Sequence, residues 1–308
     1  MTNLACTAPN CEPARPAPER LVGKTDTREV LVTGWHENTT DNHTVTADWP
    51  TRHAFYTQRS SYFSPLLFTE TVRQALGLLA HTAYNIPLDY RMGWDSYSCR
   101  IAPNALRPHP AHSDVVMTIS HQVRGLRRPR GPVRLLAKVD AVRDGRHLGT
   151  AEISYTAFPP ALYNRLRGEH ADARAAFARA RRPEAPIPAY LVNRDRSSDV
   201  VLAPTSEDRI WQLRTDTSHQ VLFDHPHDHV PGMVLLEAAH QADLLTTSAD
   251  DALVTGMSFD FKRYVEFARP CWIETAPLLP DSDGLAKTQI TGIQDGEEAF
   301  SGTVTRII

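Results

Sequence analysis

The chain has 308 residues, of which 41% are hydrophobic and 22% charged, with a formal net charge of −3 at pH 7. This composition excludes a wholly disordered chain, and no run reaches the ~18 apolar residues of a membrane helix. The near-balanced charge excludes a general polyanion binder, so neither nucleic acid nor membrane is expected as a partner, and the length suggests roughly two domains.

Residues 1–19 carry Pro9, Pro13, Pro16 and Pro18 and read as a flexible tail. No basic stretch leads into an apolar one there, so no signal peptide is expected and the expected location is the cytoplasm. Cys6, Cys11, Cys99 and Cys271 form no C-x-x-C pair, which argues against a zinc knot. A first domain is expected over 20–160. In it, 29–32 reads as a short strand and 44–48 as a polar one. Residues 66–84 are apolar on most faces and stop before Asn85-Ile86-Pro87, which predicts a buried helix. Segments 115–123, 133–142 and 147–157 alternate or are β-branched, and Asp144-Gly145 marks a hairpin. An Arg-rich stretch, 161–182, followed by Pro183, Pro186 and Pro188, predicts a helical connector over 161–190. A second domain is expected over 191–308. There, 199–202 and 211–216 read as strands, and Asp295-Gly296 separates strands 288–293 and 299–307.

The two halves repeat one another. SPLLFTETVRQALGLLAH (64–81) aligns with VPGMVLLEAAHQADLL (230–245), so that Glu70 meets Glu237 and Gln74 meets Gln241, each pair 167 positions apart. Glu29-Val30-Leu31-Val32 resembles Asp199-Val200-Val201-Leu202, His53 matches His219, and MGWDSYSCRI from Met92 resembles MSFDFKRYVEF from Met257. One helix wrapped by an antiparallel sheet, twice over, is an α+β architecture.

The chemistry concentrates in LFDHPHDHVPGMVLLEAAHQA, 222–242. His225, His227 and His229 share a loop with Asp224 and Asp228, His227 reading as an exposed spacer, and Pro231-Gly232 opens a helix. The free N–H groups of Gly232 and Met233 at that helix start, with the helix dipole, suit a developing oxyanion. Glu237, like Glu70, is a carboxylate inside an apolar helix, costly unless paired or functional. Arg73 lies one turn after Glu70 on the same face, where it can neutralise the buried carboxylate. Zinc held by H-x-H-x-H is the rival reading of the loop; no metal and no organic cofactor are expected. The basic stretch with Arg124, Arg127, Arg128, Arg130 and Arg134 reads as a solvated face or as a docking patch for an acidic partner.

The pattern HxxxxVPGMxLLEAxxQA resembles the loop and central helix of hot-dog-fold dehydratases. The doubled pattern, with the leading LVTGW, resembles the A-factor biosynthesis (AfsA) family of γ-butyrolactone synthases from Leu21 to Ile308. The resemblance implies two tandem hot-dog domains forming an intramolecular pseudo-dimer. It also implies an acyltransferase that moves a β-ketoacyl group from an acyl-carrier-protein or CoA thioester to the hydroxyl of dihydroxyacetone phosphate. The sequence departs from the family where His240 replaces an arginine three residues after Glu237, and at Phe63-Ser64-Pro65, where an aspartate is usual. In paired hot-dog domains the loop of one domain meets the helix of the other. His225, Asp228, His229 and Gly232 are therefore expected to face Glu70 and Arg73, and Glu237 with His240 to face the loop around Ser64. Catalysis by Glu70, Glu237, His225, His229 and Asp228, with phosphate bound by Arg73 or His240, is the expectation. A dehydratase or thioesterase on the same fold and a non-catalytic acyl-binding protein are the alternatives.

Overall fold

The computed structural model describes residues 17–125, 131–247, 253–280 and 284–307. In chain order its elements are α1 (Glu19–Val22), β1 (Val32–Thr39), β2 (Asn42–Trp49), α2 (Pro65–Thr82), β3 (Arg91–Ile101), β4 (Ser113–Arg124), β5 (Val133–Arg143) and β6 (Arg146–Phe158). There follow α3 (Pro160–Arg167), α4 (Ala173–Ala178), β7 (Leu202–Pro204), β8 (Ile210–Leu213), α5 (Gly232–Thr247), β9 (Leu253–Phe261), β10 (Cys271–Leu278), β11 (Ala286–Gln294) and β12 (Glu297–Ile307).

The strands form one antiparallel sheet of 12, in the order β1-β2-β4-β5-β6-β3-β9-β12-β11-β10-β8-β7. Read from the middle outward, the second six repeat the order of the first. The centre is the β3–β9 seam, where Ser98 pairs with Ser258 and Tyr97 with Phe259. The six strands of each half wrap one long helix, and α2 and α5 touch across the seam. Val115, Met117 and Ile119 of β4, Leu135 and Val139 of β5 and Ile153 of β6 are buried at every second position, while their neighbours face outward. The two halves are tandem hot-dog domains arranged as a pseudo-dimer.

Several boundaries differ from expectation. The tail is ordered from Ala17, whose N–H bonds to Val32 O at 2.8 Å, while residues 1–16 lie outside the described residues. Residues 27–29 and 197–199 form single 3-10 turns, and the strands after them start at Val32 and Leu202. The first helix ends at Thr82, because Asn85 takes a left-handed φ of 52° before Pro87. The expected strand over 211–216 is only Ile210–Leu213. Of the basic stretch, Arg124 and Arg134 pair across β4 and β5, both exposed, and Arg127, Arg128 and Arg130 lie outside the described residues.

Burying Glu70 and Glu237 at 2% and 0% exposure decides much of the local architecture. Each central helix buries one carboxylate, and each half sends a cation to it from a tight corner. Gly23 (φ 64°) turns the chain after α1 so that Lys24 Nζ lies 3.2 Å from Glu70 Oε1. Asn193 (φ 55°) turns the equivalent corner so that Arg194 Nε donates to Glu237 Oε1 at 3.0 Å. Glycine and asparagine are the residues that occupy this backbone region at low cost. Gln74 and Gln241 complete each network. Gln74 donates to Glu70 Oε1 and Glu29 O and accepts from Leu31 N; Gln241 donates to Glu237 Oε1 and Asp199 O and accepts from Val201 N. His53 Nε2 lies 3.2 Å from Glu29, and His219 Nε2 lies 3.1 Å from Asp199. The Nδ1 atom of each histidine accepts backbone N–H bonds from the next turn.

Two outcomes follow. The first half expressed alone would bare the β3 edge and the flank of α2, and is expected in the insoluble fraction; a soluble monomer would contradict the seam. The second concerns pH. Burial alone would raise the Glu70 carboxyl, but Arg73 and Lys24, helped by Gln74, hold it at about 2. A depressed carboxyl stabilises above its unfolded value, about 4.5, and loses that contribution as pH falls toward 2. Glu70→Gln should therefore be less stable than the parent at pH 7, with the gap closing as pH drops from about 4.5 toward 2, read by denaturant melts at each pH.

Candidate active site

The loops before the two central helices are swapped across the seam, so each covers the other half's buried glutamate. The loop of the first half closes over α5. Arg194 Nη1 donates to Phe55 O, Arg59 N bonds to Asn193 O at 3.1 Å, and Gln58 Nε2 lies 3.3 Å from His240 Nε2. His240 is 2% exposed and its imidazole is pushed down to about 4, chiefly by burial. It is therefore neutral and roofed by Gln58, and offers no cation to solvent. Glu237 Oε2 and His240 Nδ1 are both buried without a hydrogen-bond partner among the described residues. At the start of α2, Ser64 Oγ accepts from Leu66 N at 3.3 Å and Pro65 has no N–H to give. This departure from the family pattern seals the helix end with the chain's own atoms.

The loop of the second half lies over α2 and is different in kind. Thr25 N and Thr25 Oγ1 donate to Asp224 Oδ2 and Asp224 O at 2.9 and 3.0 Å, which pins the loop to the corner that carries Lys24. Asp224 and His227 lie in the field of Arg73. Arg73 uses Nε and Nη2 on Glu70, each at 2.8 Å, and Nη2 also on Val22 O at 2.9 Å. Its Nη1 makes no hydrogen bond among the described residues, and lies where a Cβ on Gly23 would come within 3.2 Å. The Arg73 side chain is 25% exposed and that of His225 is 38%, against 1% for Arg194 and 2% for His240. Both glutamates are buried, but the guanidinium beside Glu70 reaches solvent while the partners of Glu237 do not.

The loop carries two Asp–His pairs. Asp224 Oδ1 accepts from His225 Nδ1 at 2.6 Å, and Asp228 Oδ1 accepts from His229 Nδ1 at 3.0 Å. Both aspartates are held as anions; burial opposes this, and the histidine hydrogen bonds lead the groups that outweigh it. A proton on Nδ1 leaves Nε2 of each ring as the lone-pair nitrogen. His227 is not an exposed spacer. It is half-buried against Phe177 and Phe223, and burial with its cationic neighbours pushes it down to about 3. Asp224, His225 and His227 bring donor atoms within 4.8 Å of one another. Both Asp224 oxygens are already engaged, however, and Lys24 and Arg73 add positive charge, so the cluster suits an anion better than a metal cation. The H-x-H-x-H pattern does not converge as written, because His229 turns instead to Asp228 and the Tyr264 ring, 4.5 Å away.

The loop ends at α5. Val234 N and Leu235 N bond back to Pro231 O, while the N–H groups of Gly232 and Met233 precede any intrahelical acceptor. A Cβ on Gly232 would meet only Phe261, at 4.0 Å, so the helix end is open to approach. The Met233 side chain points into the core. The sequence reading missed Lys24, Thr25, Gln58 and Arg194. The repeat contained a signal for two of them, since LVGK (21–24) and LVNR (191–194) occupy equivalent places.

Comparison with known proteins agrees with the fold and the repeat. The chain matches the AfsA family, described as the A-factor biosynthesis hotdog domain, over residues 6–159 and 175–305. It is 35% identical over 286 residues to a 2-oxo-3-(phosphooxy)propyl 3-oxoalkanoate synthase of Streptomyces virginiae, covering 92% of this chain and 95% of that one. It is 36% identical over 299 residues to the synthase of the same name from Streptomyces coelicolor, covering 95% and 92%. Among solved structures, a 12:0-ACP thioesterase from Umbellularia californica superposes with a TM-score of 0.51 at 10% identity, covering 86% of this chain and 94% of that one, a likeness of fold alone. The chain belongs to the A-factor biosynthesis (AfsA) family of hotdog-domain proteins.

Proposed function

We propose that this protein is an acyltransferase of γ-butyrolactone signal biosynthesis, making the ester of a 3-oxoalkanoic acid with dihydroxyacetone phosphate. The relatives' name describes that product, since a 2-oxo-3-(phosphooxy)propyl group is dihydroxyacetone phosphate without its hydroxyl, and the ester oxygen takes that hydroxyl's place. The acyl donor in this reading is a thioester of an acyl carrier protein or CoA. An acidic carrier would dock through the exposed pair Arg124 and Arg134 of β4 and β5.

The observation that carries the reading is the inequality of the two covered glutamates. Among the described residues, the second half's loop carries two oriented Asp–His pairs and runs into an open helix start, and its Asp224 end lies in the field of the partly exposed Arg73, whereas the first half's loop has none of these. The acceptor phosphate sits against Arg73 Nη1, with the Lys24 corner adding positive potential. The thioester carbonyl points its oxygen at the N–H groups of Gly232 and Met233. His229 Nε2 takes the acceptor's hydroxyl proton as the C–O bond forms, and Asp228 stabilises the resulting imidazolium. The tetrahedral oxyanion collapses, the C–S bond breaks, and the imidazolium returns its proton to the sulfur. The products are the phosphorylated ester and the free thiol. His225, held by Asp224, lies at the phosphate side. Glu70 fixes Arg73, and Glu237 fixes the sealed counterpart. No step uses a metal.

Incubating the protein with a β-ketoacyl thioester and dihydroxyacetone phosphate should give the phosphorylated ester, or the butenolide phosphate formed by its cyclisation, by mass spectrometry. Prolonged chelation beforehand should not change the yield. Free β-keto acid that forms equally fast without the acceptor would mean a thioesterase, and an α,β-unsaturated thioester formed in a parallel incubation with a β-hydroxyacyl thioester would mean a dehydratase. Arg73→Ala should raise the KM for the phosphorylated acceptor by roughly 10- to 150-fold, the worth of a charged phosphate contact. It should also lower the melting temperature, because Glu70 loses a buried partner.

A further inference from the structure

The connector between the halves reaches into this site. On α3, Tyr163 and Arg167 stand one turn apart on the same face and are 4% and 7% exposed. Both close on one oxygen of the loop: Tyr163 OH donates to Asp228 Oδ2 at 2.6 Å and Arg167 Nε donates to it at 3.0 Å. Arg167 Nη2 also donates to Asp228 O at 3.1 Å. The other Asp228 oxygen is left for His229 Nδ1. Arg167 is fixed in turn. Its Nη1 and Nη2 donate to the two Glu266 oxygens at 2.6 and 3.1 Å, and its guanidinium lies 4.3 Å from the Tyr264 ring centroid. The same Tyr264 ring supports His229. Glu266 is itself held through its backbone by Gln294 of β11. A surface tether between two domains has no need of a buried arginine with two acidic partners, and here Tyr163 OH, Arg167 Nε and Arg167 Nη2 all donate to Asp228, the residue that orients one imidazole.

We propose that Tyr163 and Arg167 are positioning residues, which hold Asp228 so that it fixes the tautomer and direction of His229. The inference rests on His229 being the base of the proposed acyl transfer. It adds that the connector, an element of neither repeat, decides which of the two Asp–His pairs is held for catalysis. Asp224 is anchored by Thr25 of the first half, and its histidine is the more exposed of the two.

The test is a double-mutant cycle on the full chain. Tyr163→Phe and Arg167→Lys are made in the parent and in the His229→Ala background. The readouts are kcat, KM for both substrates and melting temperature. Tyr163→Phe, which removes one hydroxyl, should lower kcat on the order of 10- to 100-fold through misplacement of the base, with both KM values within about twofold. In the His229→Ala background the same change should alter the residual kcat by less than about twofold, because residues acting as one unit are not additive. A merely structural role would lower activity in both backgrounds alike, and that result overturns the proposal. So does a Tyr163→Phe protein with full kcat alongside an inactive His229→Ala. If His229→Ala keeps the parent kcat, the assignment of the base falls, and the positioning role with it. Should Arg167→Lys fail to fold, Tyr163→Phe still decides.

Discussion

A carboxylate at the centre of an apolar helix is the constraint on which the rest of the molecule depends. An unpaired anion there would be intolerable, so each half must bring a cation to a fixed point in its interior. Lys24 and Arg194 arrive by the same device, a left-handed corner after a short helix. The glutamine one turn beyond each glutamate then stitches the helix to the segment before the first strand. The histidine–carboxylate pairs at His53 and His219 tie down the chain where it leaves for the covering loop. Frame and loops are thus consequences of the same buried charge.

Within that frame the halves have diverged in opposite directions. Over α5 the cation is fully enclosed, the roofing residue is a neutral glutamine, and the third partner is a neutral histidine. Over α2 the third partner is Arg73, whose guanidinium spans the boundary between buried carboxylate and solvent. The covering loop there supplies aspartates and histidines in place of Phe55 and Gln58. The helix starts differ in the same sense, one capped by Ser64 and proline, the other begun by glycine.

The sequence revealed what recurs at fixed spacing. The duplication, both glutamates, both glutamines, the hairpin at Asp144-Gly145 and the loop-to-helix transition at Pro231-Gly232 all follow from local pattern and register. Irregular backbone held by long-range contacts did not show. The 3-10 turns before Val32 and Leu202 read as strands because their apolar residues are consecutive. Lys24 and Arg194 lay within the repeat but outside any apolar stripe, so nothing singled them out. Among the loop histidines, His227 reads from local pattern as a spacer, whereas it packs on Phe177 from the connector, a contact between residues 50 positions apart. Arg167 looked like one more arginine in a charged helix, because burial on a partner loop leaves no mark in composition.

The seam between β3 and β9 joins two surfaces that a symmetric homodimer would build from identical copies. Joined in one polypeptide, the interface forms at an effective concentration set by the tether and holds at any dilution. The fusion also frees the two faces genetically. In a homodimer a codon that seals one pocket seals both, so every trial is imposed on the working site as well. In this chain a mutation at position 58, 64 or 240 touches one pocket only. The closed half can accept substitutions that pack it tighter, and act as a rigid abutment for the open half, while chemistry is selected on the other side.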